Sequence, residues 1–88
     1  MRLETSKQKN KRYVAIFNNG KRVNFGQKGA FTYLDGANDA TRLAYIARHK
    51  VRENWRDPYT PGCLSRYILW EYRDINTAIR MYNEKFAI

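Results

Sequence analysis

Two apolar runs, Tyr13–Phe17 and Val23–Phe25, flank the dipeptide Asn19-Gly20. Strand side chains alternate between faces, and Asn-Gly suits both central positions of a type I′ turn, where φ must be positive. The pattern predicts a β-hairpin with Phe17 opposite Arg22, Ile16 opposite Val23, Ala15 opposite Asn24 and Val14 opposite Phe25. Val14, Ile16, Val23 and Phe25 then share a core face. Tyr13, Phe17, Arg22 and Asn24 share the other, which resembles a stacking platform of single-strand binders unless a helix covers it. Gly26, Gly29 and Gly36 punctuate the loop that ends the sheet.

Beyond Asn38 the apolar period lengthens to that of a helix. Ala40, Leu43, Ala44, Ala47 and Val51 fall on one stripe. Asn38 or Asp39 can cap the start, and the helix is expected to run to about Trp55, before Pro58 ends it. Asp57–Gly62 reads as a turn-rich connector. A short helix from about Cys63 to Tyr72 should bury Leu64, Ile68 and Leu69, with Trp70 nearby. Asp74 can cap a last helix whose Ile75, Ala78, Ile79, Tyr82 and Phe86 form a core stripe. Residues 1–11 show no apolar period and read as a flexible basic tail. The order is tail, β-hairpin, then three helices: one small α+β domain over 12–88.

Composition narrows the class. The chain has 88 residues, 43% hydrophobic and 15% aromatic, which argues against disorder. Its longest apolar run, Tyr13–Phe17, is far short of the roughly 20 residues of a membrane span. No secretory signal is apparent, and the single Cys63 makes no internal disulfide. An intracellular setting is expected. Charge changes the picture most. Seventeen Lys and Arg against eight Asp and Glu give +9 and a pI near 10.0, a balance that favours a polyanionic partner.

Several segments are distinctive together: Phe25-Gly26-Gln27-Lys28-Gly29, Tyr45-Ile46-Ala47-Arg48-His49, Arg52-Glu53-Asn54-Trp55, Asp57-Pro58, Thr60-Pro61-Gly62, Ser65-Arg66 and Leu69-Trp70. In these the chain resembles a family of small basic proteins of nucleocytoplasmic large DNA viruses, of the chlorovirus and mimivirus sort. The resemblance implies a setting, a large DNA virus, with the host cytoplasm or nucleus as expected location and the virus particle as a further one, and brings no chemistry with it.

The arc opposite the first helix's stripe carries Arg42, Tyr45, Arg48, His49, Arg52 and Arg56. Guanidinium groups one turn apart can follow phosphate oxygens or reach base edges. The plainer reading is a solvated face partly paired to Glu53 and Asp57. Lys7, Lys9 and Lys11 would add sequence-independent affinity, and Arg22 and Lys28 are further candidate contacts. His49 can bond a phosphate or act as acid and base, or be surface. No metal, cofactor or catalytic set is expected: one Cys and one His are too few for zinc, and the central carboxylates Asp35, Asp39, Glu53 and Asp57 do not cluster in the sequence. The expectation is a non-enzymatic nucleic-acid-binding protein, double-stranded DNA favoured over RNA, with weak sequence preference. The alternative is a minor structural or assembly protein that meets viral capsid proteins. Self-association is compatible with either, and no membrane contact is expected.

Overall fold

Strand pairing starts ten residues earlier than the hairpin pattern suggests. The computed structural model describes residues 1–88. It holds a three-stranded antiparallel sheet in the order β1 (Arg2–Thr5), β2 (Lys11–Ile16), β3 (Arg22–Gln27). Residues 1–11 are therefore not a tail. Leu3, the one apolar residue of β1, pairs with Ala15. Ser6 builds the turn that follows: its hydroxyl donates to Asn24 Oδ1 at 2.6 Å and accepts from the Gln8 N–H at 3.1 Å. Lys7 and Lys9 stand exposed on that turn.

The β2–β3 hairpin forms, one residue out of the expected register. Ile16 faces Arg22, Ala15 faces Val23, Val14 faces Asn24 and Tyr13 faces Phe25. The turn is the cause. The Phe17 N–H bonds the Lys21 carbonyl at 2.9 Å, and the Gly20 N–H bonds the Phe17 carbonyl at 3.0 Å. The loop thus holds three residues, with Gly20 alone at positive φ (87°), the three-residue alternative to a type I′ turn. A one-residue slip moves a strand's side chains to the other face relative to its partner. Tyr13, Ala15, Phe17, Val23 and Phe25 now share the core face with Leu3. Tyr13 and Phe17 are accordingly no open platform, and Phe17 meets Tyr59 edge-on at 4.7 Å. Val14 and Ile16 are buried on the opposite side, beside their cross-strand partners Glu4, Asn24, Arg2 and Arg22.

The helical half packs on the sheet's core face. A 3₁₀ turn, Tyr33–Asp35, is tied to β2 by a two-pronged ion pair, Arg12 Nη1 and Nη2 to the Asp35 carboxylate at 2.7 and 2.6 Å. Helix α1 (Asp39–Lys50) is capped by Asn38, whose side-chain oxygen accepts from the Thr41 N–H. Helix α2 (Pro61–Leu64), capped by Thr60, continues as a π-helical turn, Ser65–Leu69. Helix α3 (Ile75–Phe86) is capped by Asp74. Leu64, Ile68, Leu69 and Trp70 are buried as expected, as are Ala78 and Tyr82 of the α3 stripe. Cys63 is fully buried at the α2 start, where burial pushes its thiol pKa up.

Helix α1 departs from expectation twice. It ends at Lys50 rather than near Trp55, because side chains of the next segment capture backbone donors: Asn54 Oδ1 accepts from the Arg56 N–H and Asp57 Oδ1 from the Tyr59 N–H, both at 3.0 Å. Such Asx turns compete with helix. Its orientation is also reversed. Arg42, Tyr45, Ile46 and His49 face inward, whereas Leu43 is 59% exposed, Val51 82% exposed, and Ala40, Ala44 and Ala47 lie open beside them.

Candidate nucleic-acid interface

The orientation of α1 divides the side chains expected to bind together. Arg42 is withdrawn: its Nε donates to the Trp70 carbonyl at 2.9 Å and its Nη2 pairs with Glu71. Arg66 pairs with the same carboxylate at 2.7 Å. Burial raises the Glu71 pKa, but the bonds from Arg66 and Arg42 outweigh it and hold the group below its ordinary value. Tyr45 is 7% exposed, too deep to stack on a base, and burial pushes its pKa up to about 12.

Arg48, Arg52 and Arg56 remain outside, exposed, with no carboxylate within ion-pair distance. Five of the 17 Lys and Arg side chains form ion pairs (Arg2, Arg12, Arg42, Arg66 and Arg80), and the other twelve do not. Among those twelve, Lys7, Lys9 and Lys28 belong to one end of the sheet, since the Lys28 N–H bonds the Asn10 carbonyl at 3.1 Å and joins the β1–β2 turn to the end of β3. Arg22 starts β3, about 20 Å along the strand from Lys28, and its side chain lies on the face away from the core. The structure does not bring it to this group.

A cleft of about 390 Å³ links that sheet end to α1. Lys11, Gln27, His49, Glu53, Ser65 and Trp70 are among the residues that line it. Three rings form one wall, with Tyr45 stacked between His49 (4.2 Å) and Trp70 (4.4 Å). His49 Nδ1 sits 3.3 Å from Glu53 Oε1. That contact orients the imidazole and leaves its other nitrogen available to bond an anionic oxygen. Two glycines let the walls close. A Cβ at Gly62 would stand 1.4 Å from Glu53 Oε2, and Gly26, at φ 78°, has Leu69 Cδ1 3.0 Å from the position a Cβ would take. The π-helical turn supplies Ser65 and Leu69, and such turns recur at functional sites.

Sequence reasoning found Lys11, Tyr45 and His49 but not the cleft. The spacing of His49 and Glu53, four apart at a helix end, was its available signal; Gln27, Ser65 and the two glycines carry none until the chain is folded. No group of three or more His, Cys, Asp or Glu side chains is arranged to hold a metal ion, and no helix is long and apolar enough to cross a membrane.

A model for a family of unknown function, DUF5754, matches residues 1–49, the sheet and most of α1. An uncharacterized protein of Acanthamoeba polyphaga mimivirus is 35% identical over an 80-residue alignment, and the match covers 80% of each chain. The large-DNA-virus resemblance therefore holds at the level of a mimivirus relative. No solved structure matches.

Proposed function

The chain belongs to the DUF5754 family, and we propose that this member is a non-enzymatic nucleic-acid-binding protein, double-stranded DNA favoured, with weak sequence preference. One observation carries the reading: Arg48, Arg52 and Arg56 are exposed and unpaired, while Arg42, on the same helix as Arg48, is consumed by the fold. Arg48 stands in the last turn of α1 and Arg52 just beyond its end, where its N–H bonds the His49 carbonyl at 3.0 Å, and the two can follow a phosphate backbone. Lys7, Lys9 and Lys28 extend the contact from the sheet end. Exposed cations bind phosphate by releasing counterions, whatever the base sequence.

About four to six such contacts give a slope of log K against log salt of about −4 to −5. Replacing Arg48 and Arg52 together by Ala should reduce that slope by about 2 and lower affinity about tenfold or more at low salt, with circular dichroism unchanged. Arg22→Ala serves as the control and should leave the slope within error. A DNA affinity indifferent to salt between about 50 and 200 mM overturns the proposal. So does a double variant that binds like the parent.

A further inference from the structure

The exposed stripe of α1 has no partner within the chain. Leu43 and Val51 are the largest exposed aliphatic side chains, and Ala40, Ala44 and Ala47 lie between them on one face. Isolated surface apolar residues are ordinary; a contiguous helical face of five marks an interaction site. Three alanines in its middle let another helix approach closely, and the two larger side chains interdigitate beside them.

The charges that border the stripe say what covers it. Asp39 and Lys50 are eleven residues apart, three turns of helix, and so lie within about 20° of each other around the axis, on the same flank. They sit at opposite ends of α1, and neither has an ion-pair partner in the chain. When two copies of a helix pack antiparallel about a two-fold axis, like flanks face each other. Asp39 of each copy then meets Lys50 of the other, twice per pair. On the opposite flank Arg48 meets Thr41 rather than another Arg48. The helix dipoles oppose as well. A parallel arrangement would set Asp39 and Lys50 each at the same end as its own copy, and loses both pairs.

We propose that α1 docks on α1 of a second copy of this chain, antiparallel, in a weak isologous dimer. A single helix pair covers less than the roughly 800 Å² per partner of standard interfaces, so dissociation in the micromolar range is expected. The proposal stands apart from nucleic-acid binding, and its test needs no DNA.

Sedimentation equilibrium of the full chain from about 5 to about 500 μM brackets such an interface. A reversible monomer–dimer equilibrium is expected. Leu43→Glu with Val51→Glu should abolish it with unchanged circular dichroism, since both positions are already exposed. Asp39→Asn and Lys50→Gln should each weaken the dimer about threefold, as exposed pairs do. Combined, they should weaken it no further than either alone. A parent that stays monomeric across the range, leaving the stripe to a different protein, overturns the proposal. So does a glutamate variant that still dimerises. Effects of Asp39 and Lys50 that simply add overturn the antiparallel pairing.

Discussion

Helices α1 and α3 are each twelve residues long, each opens on an Asx cap, and each carries one apolar stripe. Only α3 buries it. There Tyr82 and Ala78 lie in the core with Ile75 and Phe86 packed against it, and the Tyr82 hydroxyl donates to the Pro58 carbonyl at 2.7 Å. In α1 the stripe faces out, and the inward arc is Arg42, Tyr45, Ile46 and His49, of which Tyr45 alone is buried. The difference lies in area and anchoring rather than in the number of apolar letters. Three of the five α1 stripe residues are alanines, which contribute little burial, whereas one tyrosine buries some 150–250 Å². Tyr45 stacks on Trp70, and Arg42 bonds the Trp70 carbonyl and Glu71. Periodicity counts positions; packing weighs surface and hydrogen bonds.

The comparison is sharpened most by truncating the buried tyrosine of each helix. Tyr82→Ala opens a cavity in the main core and should cost about 4 kcal/mol, enough to unfold a marginal domain near 37 °C. Tyr45→Ala should cost less, about 2–3 kcal/mol, because its site borders the cleft and can relax. Denaturant midpoints of the two variants measure both. Equal losses, or a larger loss at Tyr45, would break the distinction between a helix held by the core and one held at its rim.

Much of this was readable in advance. The α+β class, the β2–β3 hairpin, the cap Asp74, a first-helix cap at Asn38 or Asp39, and the inward set Leu64, Ile68, Leu69 and Tyr82 follow from local spacing and turn chemistry, which a single segment determines. What failed depended on partners distant in the chain. Strand β1 offers one inward apolar residue, Leu3, and exists because β2 has a free edge and Ser6 reaches Asn24. The hairpin slipped because Asn19-Gly20 serves a three-residue loop as well as a two-residue one. Arg42 looked like Arg48 until Trp70 and Glu71, about 30 residues on, took it up. Of the four arginines read onto the first helix, Arg48, Arg52 and Arg56 are the ones the fold leaves free.

The two helices should also separate in acid. Helix α1 and the turn before it are held by carboxylates, Asp35 on Arg12 and Glu71 on Arg66 and Arg42. The bond from Arg12 holds the Asp35 carboxyl well below the usual range, and Glu71 is also lowered. A depressed folded-state pKa gives stability that is present above the unfolded value, near 4, and lost as pH falls through the folded one. Below about pH 4, amide exchange should therefore rise in α1 before the body of α3, because protonating its cap Asp74, also lowered by its bonds to Thr77, frays only the first turn and the remaining contacts are mainly apolar. In Arg12→Met the difference between neutral and acid stability should shrink. Simultaneous loss of protection in both helices would show that α1 does not depend on these pairs.

The smallest effect is the most discriminating, because it compares residues that a sequence pattern treats alike. Leu43 and Ile79 each occupy the centre of an apolar stripe. Ile79 is half-buried, and Ile79→Ala should cost about 1–2 kcal/mol, the lower part of the range for truncating a buried aliphatic residue. Leu43 is mostly open to water, so Leu43→Ala should change the stability of the monomer by less than about 0.5 kcal/mol. The measurement belongs near 1 μM, where mass action leaves a weak dimer dissociated. Raising the concentration about a hundredfold should then make Leu43→Ala costly while Ile79→Ala stays as it was, because only α1 spends its stripe on a second molecule. If Leu43→Ala is as damaging as Ile79→Ala in the dilute protein, the stripe of α1 is packed inside its own chain and the contrast between the helices disappears.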